Sequence, residues 1–307
     1  MPSHPRPCLL PGGVDGLVLD LDGVVYRGPL PVAGSVAAIG RAAAAGVGIA
    51  YATNNASRTP VQVARHLGRL GVAADPAQVV TSAQVAADLV VGAVPPGARV
   101  LVVGGEGLRD EVAARGLVPV TSAQDRPAAV VQGFGPDTGW AQLAEAAYAV
   151  AAGAVWVAAN VDLTFPTDRG TAPGNGTFVA AVAEATGRRP VVAGKPGPAL
   201  LTAAAELAGG RVLVVGDRLD TDIAGARAAG LASALVLSGV TDGDVLAAAA
   251  PDVRPDVVAD DLAGLVAGRW LAASAPTDPA APSAAPGELQ DLVRRCRSVW
   301  DAGRADE

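Results

Sequence analysis

Two aspartates and a glycine stand directly behind a mostly apolar run near the start of the chain. Residues 14–19 have the length and composition of a buried strand, and Asp20, Asp22 and Gly23 follow them. A strand ending in two carboxylates one residue apart directs both acids to the carboxyl edge of a parallel sheet, where such sheets bind ligands. This spacing predicts that Asp20 attacks a phosphorus atom as nucleophile, and that Asp22 protonates the leaving alcohol and later activates water. Gly23 lets the chain turn sharply behind them.

Three further polar clusters follow apolar runs that have the length of strands. They are Thr53-Asn54-Asn55-Ala56-Ser57, Gly194-Lys195-Pro196 and Gly216-Asp217-Arg218-Leu219-Asp220-Thr221-Asp222. One such cluster alone is typical of an ordinary strand-to-turn junction, because Asp and Gly are both common in turns. Four clusters, each at the end of a strand, favour one site at the carboxyl edge of a sheet.

The second and third clusters carry groups that phosphoryl transfer needs. The Thr53 hydroxyl and the backbone N–H groups of Asn54 and Asn55 can donate to phosphate oxygens, as in an anion-binding nest. Lys195 would neutralise the negative charge that accumulates on those oxygens and on the attacking carboxylate. It is the only lysine in a sequence with 23 lysines and arginines, which indicates a place that needs a compact ammonium group.

The fourth cluster predicts a magnesium site made of hard oxygen ligands. Asp217 would bind the cation together with one Asp20 oxygen, the Asp22 carbonyl, the phosphate and waters. Without the cation, Asp20 and the phosphate would repel each other. Asp222 lies one helical turn beyond and is placed to orient a water ligand of the cation rather than to bind the cation directly.

The composition predicts a soluble enzyme with a small-molecule substrate. Of 307 residues, 50% are hydrophobic and 17% are charged, so two sizeable cores can be buried. A net charge of -7 and 3% aromatic residues argue against nucleic acid and anionic membranes as partners. No run approaches a membrane span, residues 1–13 lack the apolar centre of a signal peptide, and the two cysteines form no disulfide or metal pattern. These features predict a cytoplasmic location.

The distances between the clusters predict where a second domain is inserted. About 30 residues between the first two clusters leave room for one helix, 32–45, and one strand. The much longer segment between the second and third clusters alternates strands (99–103, 128–132, 155–158) with helices (108–115, 140–152, 175–185), which indicates an inserted α/β cap. We predict a core at residues 1–81 and 190–271, the cap at 82–189, and a linker with an amphipathic helix at 272–307.

The four ordered clusters resemble the motifs of the haloacid-dehalogenase superfamily. Asp-Leu-Asp-Gly-Val-Val-Tyr at 20–26, with Thr-Asn-Asn at 53–55, is similar to subclass IIA, which includes NagD-like, nitrophenyl-phosphatase-like and pyridoxal-phosphate-phosphatase-like enzymes. The resemblance covers residues 14–265. It implies an α/β fold with a Rossmann-like parallel-sheet core and an inserted α/β cap of the C2 type, and a magnesium-dependent phosphatase that acts through an aspartyl-phosphate.

The leaving group of the substrate would be recognised by the cap, because the four clusters handle only phosphate. The most polar cap segment, 160–170, is expected to overhang the crevice, although it also fits an ordinary surface loop. Pyridoxal-phosphate phosphatases of the subclass use a cap histidine, and Thr164 stands near that place here. Resemblance to actinobacterial glycerol-phosphate phosphatases implies a small polyol phosphate as substrate, with nucleotide monophosphates, sugar phosphates and pyridoxal phosphate as alternatives.

Functions of other classes stay open at this point. A carbon–halogen hydrolase would need Asp20 but has no use for Asp22 or Asp217 in these roles. A phosphomutase would keep the phosphate on a sugar phosphate, and a silent binding module would bind its ligand without turnover. The cap can also join two copies of the chain in a homodimer.

Two further segments carry structural predictions. Trp140 and Tyr148 lie two turns apart on a predicted cap helix and are expected to pack in the core of the cap. Near the C-terminus, apolar residues recur at helical spacing and predict one amphipathic helix. They are Leu289, Leu292, Val293, Cys296, Val299 and Trp300. This helix can dock on the core, pair with another subunit, or be the remnant of a longer domain.

Overall fold

The computed structural model describes residues 8–167, 169–273 and 285–305. Asp168 of the polar cap segment and residues 274–284 of the predicted linker lie outside the described residues. The strands are β1 (Gly16–Leu19), β2 (Tyr26–Arg27), β3 (Leu30–Pro31), β4 (Gly48–Thr53), β5 (Val79–Thr81), β6 (Arg99–Val103), β7 (Val118–Val120), β8 (Ala129–Gln132), β9 (Val155–Ala158), β10 (Thr164–Thr167), β11 (Gly170–Pro173), β12 (Val191–Val192), β13 (Val212–Gly216), β14 (Ala232–Val236), β15 (Val257–Ala259) and β16 (Trp270–Ala272).

The helices alternate with these strands along most of the chain. They are α1 (Ser35–Ala44), α2 (Pro60–Arg69), α3 (Ser82–Ala93), α4 (Glu106–Ala114), α5 (Trp140–Ala151), α6 (Asn175–Thr186), α7 (Pro198–Ala208), α8 (Ala224–Ala228), α9 (Gly243–Ala247), α10 (Leu262–Val266) and α11 (Gly287–Ala305). A π-helical turn, Leu219–Ile223, runs directly into α8. No helix in the described ranges has both the length and the apolar character that crossing a bilayer requires.

The chain forms two compact units. The core unit contains the described residues of 1–52, 63–79 and 201–307, and the insert unit contains those of 53–62 and 80–200. The predicted cap, 82–189, lies within the insert unit.

The sheet of the core unit has the strand order β16-β15-β14-β13-β1-β4-β5. Strand β1 runs parallel to both its neighbours, with Leu19 opposite Val215 of β13 and Tyr51 of β4. Its apolar residues are fully buried, as expected of a strand covered on both faces. Because β1 and β13 are adjacent and parallel, the residues that follow them meet at the same edge of the sheet.

A second apolar cluster of the core unit buries the C-terminal helix. Leu289, Val293, Cys296 and Trp300 of α11 pack with Leu246 of α9 and with residues of β14 and β15. Of the three arrangements predicted for this helix, the structure therefore shows docking on the core. Val299 is 50% exposed and lies outside the buried stripe.

The insert unit is built on a parallel sheet with the order β12-β9-β8-β6-β7. The predicted strands 99–103 and 155–158 are confirmed as β6 and β9, and the three predicted helices are confirmed as α4, α5 and α6 with ends shifted by one or two residues. The sequence predicts a loop at 160–170, whereas part of this segment forms the antiparallel hairpin of β10 and β11, with Thr164 opposite Pro173.

The prediction that Trp140 and Tyr148 are core residues was wrong. They are 79% and 58% exposed. Helix α5 instead buries a face of small residues, Ala146, Ala149 and Val150, which lies on the opposite side of the helix and packs against the sheet and α6. The large aromatic side chains do not mark the buried face of this helix, because close packing between helices favours small side chains on the facing sides.

Candidate functional site

Three carboxylates meet at the carboxyl edge of the core-unit sheet. One oxygen from each of Asp20, Asp217 and Asp222 lies within 4.8 Å of the other two. Asp20 follows β1, Asp217 follows β13, and Asp222 lies in the π-helical turn behind Asp217. Asp217 and Asp222 are 2% and 1% exposed, and Asp20 is half-buried. Three buried or half-buried carboxylates this close repel one another unless a cation lies among them, and carboxylate oxygens are the ligands that Mg²⁺ prefers.

The segment 238–241 holds Asp217 in place. The Val240 N–H donates to Asp217 Oδ2 over 2.7 Å, and the Thr241 N–H donates to the Asp217 carbonyl over 3.1 Å. The Ser238 hydroxyl donates to the Gly23 carbonyl over 2.7 Å, so the same segment also holds the turn behind Asp22. None of the four predicted clusters includes this segment. Its signal was a fifth short polar run, Ser238-Gly239, behind the apolar strand β14.

Two glycines leave the Asp217 carboxylate its space. A Cβ on Gly23 would lie 2.3 Å from Asp217 Oδ2, and a Cβ on Gly239 would lie 1.9 Å from the same oxygen. Gly23 has φ 82°, which confirms the sharp turn predicted there. A side chain at either position would therefore collide with the Asp217 carboxylate, and at Gly23 it would also strain the backbone.

The two aspartates behind Asp217 have different surroundings. One Asp222 oxygen accepts a hydrogen bond from the Arg218 N–H over 3.1 Å, which turns this carboxylate toward the cluster. Asp220 points away and forms two hydrogen bonds with the Arg218 guanidinium, which lower its pKa. The tertiary structure thus selects Asp222 rather than Asp220 for the cluster, and it brings Asp222 as close as the other two carboxylates.

Asp22 lies in the turn that follows β1, and its side chain is exposed. The next N–H, that of Gly23, donates to the Tyr26 carbonyl over 2.8 Å and closes the turn. The Asp22 carboxylate does not belong to the cluster of three. An exposed carboxylate can exchange protons with solvent, and the acid–base role of Asp22 stays a prediction.

In the insert unit, the Asn54 side chain joins the second polar cluster to the third. Asn54 Oδ1 accepts from the Lys195 N–H over 2.8 Å, and Asn54 Nδ2 donates to the Lys195 carbonyl over 2.9 Å. The same Nδ2 also donates to Asp162 over 3.2 Å. Lys195 is 3% exposed. Asn54 was predicted to act through its backbone N–H, and the structure shows in addition that its side-chain amide holds the Lys195 backbone.

Thr53 and Asn55 form a local turn at the end of β4. Thr53 is buried, and its Oγ1 accepts from the Asn55 N–H over 3.1 Å. Asn55 Oδ1 in turn accepts from the Ser57 N–H and hydroxyl over 2.8 and 2.7 Å. The Asn55 N–H predicted to face phosphate is therefore engaged within the turn, and the Thr53 hydroxyl keeps its own proton for donation.

Three further polar side chains of the insert unit support Asn54. Asn160 Nδ2 and Ser82 Oγ both donate to the Asn54 carbonyl over 2.7 Å, and Asn175 Nδ2 donates to the Asn160 carbonyl over 2.7 Å. All three are buried. Asn160 and Asp162 belong to the segment singled out for its polarity, but no local signal marked Ser82 or Asn175 as partners.

Comparison with known proteins identifies relatives across almost the whole chain. The family model described as haloacid dehalogenase-like hydrolase matches residues 17–118, and a second, described as HAD-hydrolase-like, matches residues 192–265. The D-glycerol 3-phosphate phosphatase of Mycobacterium tuberculosis is 49% identical over 311 residues, covering 95% of this chain and 87% of that protein. The glycerol-3-phosphate phosphatase of Gallus gallus is 38% identical, covering 74% and 81%.

A solved structure gives the same result. The crystal structure of the glycerol phosphate phosphatase from Mycobacterium tuberculosis in complex with magnesium has a TM-score of 0.85 to this chain at 47% identity. The match covers 94% of this chain and 92% of that chain. Similarity at this level extends to the fold as a whole and to the sequence.

Proposed function

This chain belongs to the haloacid dehalogenase-like hydrolases, and from that premise we propose that it hydrolyses glycerol 3-phosphate or a similar small polyol phosphate. It is a phosphoric monoester hydrolase, and Mg²⁺ is its cofactor. The observation that carries the proposal is the cluster of Asp20, Asp217 and Asp222, whose three oxygens suit a hard divalent cation. The choice of substrate is supported by the two related glycerol phosphate phosphatases.

Asp20 is the proposed nucleophile. The hydrogen bond from its N–H to the Val215 carbonyl, 2.9 Å long, fixes the backbone from which the carboxylate projects. The carboxylate attacks the phosphorus atom, and the bond from phosphorus to the alcohol oxygen breaks as Asp22 gives that oxygen a proton. Asp22, now ionised, takes a proton from water, which attacks the aspartyl-phosphate and releases phosphate and free Asp20.

The remaining proposed roles concern charge. Asp20, the Asp22 carbonyl and Asp217 would hold Mg²⁺, which supplies the positive charge that lets an anionic nucleophile approach an anionic phosphate. Asp222 would orient a water ligand. Lys195, the Thr53 hydroxyl and the backbone N–H of Asn54 would bind the phosphate oxygens. The Asn55 N–H, which was also predicted to bind them, donates to Thr53 Oγ1 and would orient that hydroxyl instead.

The test is phosphate release from a panel of phosphate monoesters, with Mg²⁺ and with a chelator. The panel contains glycerol 3-phosphate, a sugar phosphate, p-nitrophenyl phosphate, pyridoxal phosphate and nucleotide monophosphates. We expect Mg²⁺-dependent release, fastest from glycerol 3-phosphate, that is lost in Asp20→Asn and strongly reduced in Asp217→Asn. Asp220→Asn is the matched control. Asp220 lies between Asp217 and Asp222 in the sequence, but its side chain is exposed and forms an ion pair with Arg218.

Two outcomes would contradict the proposal. Wild-type release from Asp20→Asn would exclude the aspartyl-phosphate route, and faster release from another member of the panel would reassign the substrate. Transfer of phosphate within a sugar phosphate, without release, would indicate a phosphomutase.

We further propose a cytoplasmic location and a homodimer formed through the insert unit. The location is supported by two unpaired cysteines, Cys8 and Cys296. The dimer is supported by the exposed Trp140 and Tyr148 on α5. Cell fractionation tests the first proposal. Light scattering on the wild type and on Trp140→Glu tests the homodimer. We expect the wild type to be a dimer and Trp140→Glu to be a monomer.

A further inference from the structure

Helix α11 buries a continuous apolar stripe in the core unit. Leu289, Val293, Cys296 and Trp300 recur every three to four residues and are between 1% and 4% exposed. The stripe packs against Leu246, the fully buried residue of α9. The C-terminal helix is therefore an integral part of this unit rather than an exposed appendage.

Helix α11 holds both ends of α9. At the first end, Leu292 packs on Gly243 so closely that a Cβ on Gly243 would lie 2.8 Å from Leu292 Cδ1. At the other end, Trp300 Nε1 donates to the Ala247 carbonyl over 3.1 Å. The Arg254 guanidinium lies over the Trp300 ring, 4.8 Å from its centroid, and adds a cation–π contact to the indole.

Helix α9 begins directly behind the segment 238–241. Asp242 caps α9 by accepting hydrogen bonds from the N–H groups of Asp244 and Val245 over 3.0 and 2.9 Å. Thr241, just before this cap, is 4% exposed and donates its N–H to the Asp217 carbonyl. The two backbone donors to Asp217, Thr241 and Val240, therefore lie two and three residues before the first residue of α9.

We propose that α11 is a positioning element of the metal site, with Leu292 and Trp300 as its positioning residues. This inference rests on the proposed function, in which Asp217 binds Mg²⁺. A helix of five residues such as α9 has little stability of its own, so its position depends on what packs against it. When α11 fixes α9, the Val240 N–H stays directed at Asp217 Oδ2. The Asp217 carboxylate is then already ordered before Mg²⁺ binds, so binding does not carry the cost of ordering it.

The experiment uses Leu292→Ala in the full chain, with Val299→Ala as matched control. Both truncate one aliphatic side chain on the same helix, but Val299 is 50% exposed. The dissociation constant for Mg²⁺ is measured by calorimetry without substrate, and kcat is measured at saturating Mg²⁺. We expect Leu292→Ala to raise the Mg²⁺ dissociation constant about threefold to tenfold. Its kcat should return close to wild type once Mg²⁺ saturates, and Val299→Ala should match wild type in both measurements.

A purely stabilising helix would give a different result. Leu292→Ala would then lower the melting temperature and leave the Mg²⁺ dissociation constant unchanged, which would overturn the proposal. If Leu292→Ala does not fold, Trp300→Phe decides, because phenylalanine keeps the packing but removes the indole N–H. An Mg²⁺ dissociation constant raised about twofold or more in Trp300→Phe supports the proposal, and an unchanged one overturns it.

The proposed function and this inference fail in distinguishable ways. If wild type binds no Mg²⁺, or Asp217→Asn binds it as well as wild type does, the metal site itself is misassigned. If wild type binds Mg²⁺ through Asp217 while the α11 variants bind it equally well, only the positioning role of α11 is wrong.

Discussion

Replacing Gly239 by alanine should weaken Mg²⁺ binding by a steric mechanism. The Gly239 backbone is outside the left-handed region, so alanine costs no backbone strain there. The new Cβ would lie 1.9 Å from Asp217 Oδ2 and 2.4 Å from Asp217 Cβ and Cγ. Contacts this short force the carboxylate to move, because the new Cβ approaches the Asp217 Cβ and Cγ as well as the oxygen.

The size of the effect follows from the hydrogen bond that is lost. When the Asp217 carboxylate moves, it leaves the Val240 N–H, to which it is bonded over 2.7 Å. A hydrogen bond to a charged group contributes about 1.5–3 kcal/mol, and each 1.4 kcal/mol corresponds to about a tenfold change in binding. We therefore expect the Mg²⁺ dissociation constant of Gly239→Ala to rise about tenfold to a hundredfold.

Calorimetric titration with Mg²⁺, without substrate, measures this directly. Gly40→Ala is the matched control, because Gly40 lies in α1 and no atom stands within 4 Å of a Cβ added there. Circular dichroism checks that both variants fold. An Mg²⁺ dissociation constant for Gly239→Ala within about twofold of the wild-type value would refute the reasoning, since it would mean that Asp217 can move without consequence for the cation.

Three other substitutions probe the proposed phosphate-binding residues and the core. Lys195→Arg should lower kcat about a hundredfold or more. Lys195 is 3% exposed, and a planar guanidinium does not fit the space of its ammonium group. An unchanged kcat would show that a positive charge alone is sufficient. Asn54→Asp should lower turnover most at high pH, because one oxygen of the new carboxylate would replace an amide nitrogen that lies 3.2 Å from Asp162, and protonation would relieve the repulsion between the two carboxylates. A pH–rate profile parallel to that of Asn54→Ala would contradict this. Leu213→Ala, at a β13 side chain that is 1% exposed, should reduce the free energy of unfolding by about 2–5 kcal/mol in urea titration, whereas Leu207→Ala, at a 54% exposed site, should change it little.

The sequence by itself determined which edge of the core sheet carries the carboxylates. The apolar run before Asp20 and the run before Asp217 both form buried parallel strands, and these strands are neighbours. In a parallel sheet the carboxyl ends share one edge, so local patterns at two strand ends are enough to bring their aspartates together. The same kind of local pattern predicted β6, β9 and the helix α11, because hydrophobic periodicity is written in adjacent residues.

Only the tertiary structure decided which groups hold those residues in place. The bonds from Val240 to Asp217 and from Ser238 to Gly23 join residues far apart in the sequence. The Asn54 amide reaches Lys195 across 141 positions, and nothing near Asn54 in the sequence indicates this partner. The apparent core residue Trp140 lies exposed for the same reason, because which face of α5 is buried depends on the neighbours that pack against it. Strand ends and helical stripes are local properties of a chain, whereas hydrogen-bond partners and packing faces exist only once distant segments have met.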